Sequence, residues 1–288
     1  MSRSEGIERG SDDTVVKRFN GLVLWHWIAF SLKSAVMDTS TMPAVAELVA
    51  EPYASVVCYP RVRKAELKRR MKELERMGIS ALEFVGGKQV FNLRVLGKGC
   101  VGIVVLAHKN RHVIALKIRR VDADRTRMQD EAKLLKKANS VQVGPRLLGV
   151  GRNFLCMQFI DGELLPRWLN GKRSKARIGN VLREILEQCW RLDKVNLDHG
   201  ELSHAPKHII VDKEDKSFIV DFESASLGRR PSNVTSICQF LFIGSETAEK
   251  IAEKLGATDR KAIAEALKRY KKEKTRENFC KVLDVCAL

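Results

Sequence analysis

Asn92–Arg120 reads NLRVLGKGCVGIVVLAHKNRHVIALKIRR, and its alternation of apolar, glycine and cationic residues settles the local architecture. Gly97, Gly99 and Gly102 form a GxGxxG run. Glycines let backbone N–H groups approach a bound phosphate without interference from Cβ atoms. A dinucleotide-binding loop uses the same letters, but a helix must follow it. Here Ile103-Val104-Val105-Leu106 follows, β-branched and apolar, so strand–loop–strand is expected. A plain tight turn is the alternative for the glycines taken alone. Lys117 lies 15 residues beyond Gly102, at the end of VIALK. A lysine in so apolar a strand is costly unless an anion meets it.

Outward from this stretch, residues 122–138 read as a helix that runs from acidic to basic. Glu131 sits beside its inward apolar stripe (Met128, Leu134, Leu135), with Asp130 as the competing acid. Strands follow around Leu147–Val150 and Phe154–Phe159, then a long helix at Lys175–Leu192. Ile178, Val181, Leu182, Ile185, Leu186 and Cys189 make one apolar face of that helix. The loop HGELSHAPKH and the strands IIVD and FIVDF form a hairpin-like unit, and the tail from Glu246 is helical and basic. Upstream, Leu67, Met71, Leu74 and Met77 recur at helical spacing, Gly78 is a stop signal, and Gly86-Gly87 between two β-rich runs reads as a hairpin turn. This helix-plus-hairpin segment suits either a small winged-helix-like module or a lid on the next domain.

His199-Gly200-Glu201-Leu202 and Asp221-Phe222-Glu223 resemble the HRDL and DFG signatures of protein kinases, and the glycine loop and strand lysine resemble the other half of that set. Glycine loop, lysine strand, acidic helix, apolar hinge strand, long helix, HGEL and DFE occur in kinase order. Two positions depart from the pattern. Glu201 replaces the catalytic-loop aspartate, and Pro206 stands where an asparagine is expected. A two-residue insertion would put His208 in the asparagine's place. No activation segment or APE follows Asp221. The shortened C-terminal part resembles Rio-type and KEOPS-complex kinases, and with them the archaeal predicted serine/threonine protein kinases; the likeness covers roughly residues 45–245.

The resemblance implies an α+β, bilobal protein-kinase-like fold with a β-rich N-lobe, a reduced helical C-lobe and a small N-terminal extension. The expected divisions are an irregular extension at 1–42, the helix–hairpin module at 43–90, the N-lobe at 91–160, and the C-lobe with a basic tail at 161–288. It implies ATP with Mg²⁺ or Mn²⁺, and transfer of the γ-phosphate to a protein Ser/Thr hydroxyl. Gly97, Gly99 and Gly102 would cover the phosphates, Lys117 would hold them, and Glu131 would orient Lys117. Met157 and Phe159 would face the adenine. Asp221 would bind the metal with His208 or Glu223, and Glu201 would serve as the catalytic acid–base group. Catalysis would thus rest on Glu201, Lys117 and Asp221, with Lys207 as a further cation near the γ-phosphate. Two other functional classes fit: an ATP-binding switch or weak ATPase acting on RNA or a ribosomal particle, and a small-molecule kinase.

The formal charge of +17 calls for a polyanionic partner without choosing one. Arg61–Arg76 carries eight cations and three acids, and Arg260–Lys281 is also cationic. Such runs are usually solvated helix faces, and few aromatics interleave them. Seven scattered cysteines without CxxC spacing argue against a disulfide framework and for a reducing cytoplasm. Cys100 in the glycine loop is either a reactive thiol or the small residue a turn tolerates. Residues 21–37 resemble a short membrane anchor but contain His26 and Lys33. A docked amphipathic segment, or a start placed before Met37 or Met42, reads at least as well.

Overall fold

The computed structural model describes residues 41–124 and 128–288. The apolar run at 21–37 and nearly all of the extension at 1–42 lie outside the described residues. The chain first runs along the outer edge of a sheet, where Thr41 and Ala44 bridge to Phe84 and Ala81. Two helices follow, α1 (Tyr53–Val57) and α2 (Lys64–Arg76). Leu67, Met71 and Leu74 are buried on one face of α2 as their spacing predicts. Gly78 then ends the run with φ +71°, a left-handed stop that favours glycine.

The next strand, β1 (Ile79–Glu83), pairs antiparallel with the strand at Gly102–Lys109. It does not turn back at Gly86-Gly87, which corrects the expected hairpin. The hairpin is formed instead by β2 (Lys88–Val90) and β3 (Leu93–Val95), turning at Phe91. Gly86 serves another purpose: at φ +125°, a Cβ there would lie 2.4 Å from the Val95 carbonyl oxygen. Bare backbone is what lets β3 pass so close.

β4 (Gly97–Lys98) and β5 (Gly102–Lys109) flank the glycine turn as expected, and β6 (His112–Arg119) pairs along the whole of β5. Alternation along β6 sends Ile114, Leu116 and Ile118 into the sheet core, which leaves Lys117 on the opposite face. The helix expected at 122–138 begins later, as α3 (Gln129–Asn139). Val121 and Asp122 form a turn, where Arg120 chelates Asp122 through Nε (2.9 Å) and Nη2 (2.7 Å). β7 (Leu147–Val150) and β8 (Phe154–Gln158) complete a six-stranded sheet of order β1-β5-β6-β8-β7, with β4 also on β5.

Beyond this sheet lie β9 (Gly162–Leu164), α4 (Leu165–Trp168) and α5 (Lys175–Lys194), the last capped by the Ser174 hydroxyl. The predicted apolar face of α5 is buried throughout. β10 (Ile209–Asp212) pairs with both β9 and β11 (Ser217–Ile219). Four helices end the chain: α6 (Asn233–Cys238), α7 (Glu246–Leu255), α8 (Arg260–Lys272) and α9 (Arg276–Val285).

The architecture is mixed α+β with two main hydrophobic cores. One joins α1, α2 and the large sheet, from Val45 to Cys156, so residues 43–90 share a core with the strands that follow. The other is helical, built on α5 with β10, β11 and the C-terminal helices. Cys58, Cys156, Cys189, Cys238 and Cys286 are buried as free thiols, and Cys100 is exposed. Among the described residues no helix is long and apolar enough to cross a membrane.

Candidate functional site

Lys117 is 4% exposed, which for an ammonium demands charged partners. It has three. Nζ donates to Glu131 Oε1 at 2.8 Å, Asp221 Oδ1 at 3.0 Å and Glu223 Oε2 at 2.9 Å. These acids come from the first turn of α3 and from the segment just after β11, so three distant pieces of chain meet at one amine. Burial alone would discharge Lys117; the three carboxylates reverse this and hold it protonated well above its ordinary range. Burial would likewise raise Asp221, but Lys117 outweighs it and keeps that carboxyl below its ordinary range. In Glu131, 2% exposed, burial pushes the pKa up against the pull of Lys117. Its competitor Asp130 is exposed and lies 3.9 Å from Lys133.

The glycine loop lies directly over this cluster. Gly99 N–H donates to the Gly102 carbonyl at 2.8 Å and closes the turn. A Cβ on Gly102 would sit 3.0 Å from Lys117 Cγ and 3.1 Å from Cε, so the lysine stem uses the room that glycine leaves. A Cβ on Gly99 would lie 3.9 Å from Glu223 Oε2.

Asp221 has φ +68° and ψ 76°, left-handed backbone that few non-glycine residues adopt. Its neighbours enforce it. The Val220 N–H donates to the His208 carbonyl at 2.9 Å, and His199 Nε2 donates to the Val220 carbonyl at 3.1 Å. Phe222 is buried in the helical core, edge-on to His199 at 5.1 Å between centroids. Burial, together with the nearby His208, pushes His199 down to about 4, which keeps its ring a neutral donor.

Glu201 and His208 form a second cluster beside the first. His208 is 1% exposed, and its Nε2 lies 2.9 Å from Glu201 Oε2, off the line a straight hydrogen bond needs. The other Glu201 oxygen accepts a short hydrogen bond from the Ser224 hydroxyl. That hydroxyl holds Glu201 below the ordinary carboxylate range in spite of partial burial. Met157 and Phe159 lie at the end of β8, whose Leu155 pairs in register with Lys117 and whose Met157 pairs with Ala115.

Lys117, Glu131 and Asp221 are therefore brought together, Glu201 and His208 are paired with each other, and Gly97, Gly99 and Gly102 line the turn above. Three residues escaped the sequence reading. Ser224 caps Glu201, and Asp198 receives Arg229 Nε at 2.8 Å and the Ser232 N–H at 3.1 Å. Asn233 accepts the His199 N–H at 2.9 Å, anchoring the loop. Only Ser224 left a signal, by adjoining the DFE triplet.

The donor set suits a magnesium ion. Three carboxylates face one ammonium, so the cluster carries surplus negative charge, and Glu131 Oε2 is buried without a hydrogen-bond partner among the described residues. Among those residues no three His, Cys, Asp or Glu side chains converge as a closed metal cage. Mg²⁺ does not need one, since it takes one or two carboxylates and fills its octahedron with phosphate oxygens and water.

No family model matches the chain. It is 34% identical over 118 residues to the uncharacterized protein MJ1211 of Methanocaldococcus jannaschii, a match that takes in 40% of this chain and 99% of that one.

Proposed function

We propose that this chain, which belongs to the family of that uncharacterized archaeal protein, is an ATP- and Mg²⁺-dependent protein serine/threonine kinase of atypical type with a bilobal protein-kinase-like fold. One observation carries the reading: Lys117 Nζ lies within 3.0 Å of Glu131, Asp221 and Glu223 beneath a glycine turn. A buried amine that can exchange carboxylate partners for phosphate oxygens, beside carboxylates that can then take a cation, is what phosphoryl transfer requires.

Lys117 would release Asp221 and Glu223 and hold the α/β-phosphates, with Glu131 keeping it aimed. The backbone of Gly97, Gly99 and Gly102 would close over the phosphates, and the end of β8 at Met157 and Phe159 would take the base. Asp221, with Glu223, would hold the Mg²⁺, which when bound neutralises charge on the β- and γ-phosphoryl oxygens. His208 then fixes Glu201 rather than binding metal, since magnesium prefers oxygen. The substrate hydroxyl oxygen bonds to the γ-phosphorus as the bond to the β–γ bridging oxygen breaks. ADP departs, and the hydroxyl proton passes to Glu201. Because Ser224 depresses Glu201, that carboxylate orients the hydroxyl better than it removes a proton, and slow turnover follows.

The same capping favours a second reading. With Ser224 on one Glu201 oxygen and His208 beside the other, the chain could bind ATP as a switch or a slow ATPase. Incubation with γ-labelled ATP and Mg²⁺ in a cell extract separates the two. Label on protein Ser/Thr supports the kinase, and free phosphate alone supports the ATPase. Absence of millimolar ATP binding by calorimetry overturns both.

Asp221→Asn should weaken ATP binding in Mg²⁺ by about tenfold or more while leaving metal-free binding little changed, since its charge acts through the cation. Calorimetry with and without Mg²⁺ checks this. Glu201→Gln should lower turnover by on the order of 10²-fold without changing nucleotide affinity, which single-turnover assays would read.

A further inference from the structure

A cavity of about 730 Å³ lies away from Lys117, between α2 and the turn joining β7 to β8. Arg69, Arg76, Arg119 and Arg152 line it together with Glu66 and Glu73. Both glutamates are engaged. Glu66 accepts from Arg69 Nη2 at 2.8 Å and Arg70 Nε at 2.9 Å, and Glu73 accepts from Asn153 N at 2.8 Å and Nδ2 at 2.7 Å. Four guanidiniums thus outnumber two committed carboxylates, with the buried Arg70 just behind them. The Arg152 carbonyl accepts the Met128 N–H at 2.9 Å, while its side chain is exposed and makes no hydrogen bond or ion pair among the described residues. Burial, more than the opposed charges of Arg70, Arg152, Glu66 and Glu73 around it, lowers the pKa of Arg119.

We infer that this groove binds the sugar–phosphate backbone of a nucleic acid without reading its sequence, a role that goes beyond phosphotransfer and does not depend on it. The groove opens onto the outer side of α2, where Lys64, Lys68, Arg69, Lys72 and Arg76 are exposed against a single exposed acid, Glu75. Along a 13-residue helix that basic surface runs about 20 Å, which suits an extended polyanion better than one phosphoryl group. Guanidiniums grip phosphate oxygens through paired N–H donors. No aromatic lines the cavity, so bases would not stack, and Met77 is its only apolar side chain larger than glycine, which leaves nothing to enter a lipid bilayer.

The test uses the full chain and a fluorescently labelled 20-base-pair RNA duplex of arbitrary sequence, titrated by polarisation at several salt concentrations. Arg69→Ala/Arg76→Ala/Arg152→Ala should lose about tenfold or more in affinity, and its log–log salt slope should shrink by about 3, near 0.9 per phosphate contact. A second variant, Lys261→Ala/Lys271→Ala/Lys272→Ala, removes equal charge from α8 and the residues at its end, and should keep affinity within about twofold. Thermal unfolding midpoints of both variants should stay near the wild-type value, which reports that they are folded whether or not the chain binds ATP. An unchanged duplex affinity in the arginine variant overturns the inference, and so does equal loss in both variants. Arginine-dependent binding of a phosphopeptide or of phosphatidylserine vesicles that is tighter than binding of RNA overturns it as well.

Discussion

Lys117→Met is expected to reduce ATP turnover by roughly 10²–10³-fold, the scale seen when a preorganised charge is removed from the site of phosphoryl transfer. The substitution also removes a cation bonded to Glu131, Asp221 and Glu223 at once. Breaking a buried ion pair from one side costs about 3–5 kcal/mol, although Glu131 can recover part of that by taking a proton. Loss of activity alone would therefore be ambiguous. The double variant Lys117→Met/Glu131→Gln removes the buried partner too, and should regain much of the stability while remaining inactive. Turnover near the wild-type rate in either variant would rule out the nucleotide assignment, and thermal unfolding of both separates chemistry from folding.

Arg70→Leu should be the most damaging single change outside that cluster, lowering stability by roughly 3–5 kcal/mol. Arg70 has no exposed surface. Its Nε meets Glu66, and its Nη1 donates to the carbonyls of Val57 at 2.6 Å and Arg119 at 2.7 Å. Nη2 reaches Asn153 Oδ1 at 3.3 Å. Leucine would leave the buried Val57 carbonyl and the part-buried Arg119 carbonyl without the guanidinium, at about 1–3 kcal/mol for a buried unpaired group. Lysine carries one donor head on a thinner stem and cannot serve all four directions. Urea unfolding should show a lower midpoint with an unchanged slope. A midpoint within experimental scatter of wild type would mean that the guanidinium contributes little.

Lys117, Glu131 and Asp221 were legible in the sequence because local pattern constrains each of them. An amine in a buried strand and an acid beside the inward stripe of a helix stand out by pattern, and Asp221 stands out through the likeness of its DFE triplet to the kinase DFG signature. Helical period favours Glu131 and leaves Asp130 as its competitor; the contact with Lys117 decides between them. Arg70 was not legible. In a stretch with eight cations between Arg61 and Arg76, one buried arginine looks like its solvated neighbours, since periodicity gives a face and not its partners. The pairing of β1 was missed for a related reason. Gly86-Gly87 signals a turn, but the strand that β1 meets lies some twenty residues on, and turn chemistry reports only adjacent pairings. At the expected start of α3 the cause of its delay is local: Arg120 chelates Asp122 within a turn, which competes with helix there.

The sheet also bears on how this chain behaves in concentrated solution. A strand with an unpaired side is a template on which another molecule can add, the usual start of aggregation. β1 is shielded, because the Phe84 and Leu82 N–H groups donate to the carbonyls of Thr41 and Pro43. That leaves β7 at the other end, where Leu148 and Val150 are exposed. Its four residues are interrupted by a bulge between Leu147 and Gly149. An intruding strand would find few consecutive donors and acceptors there, so self-addition is blunted at this edge.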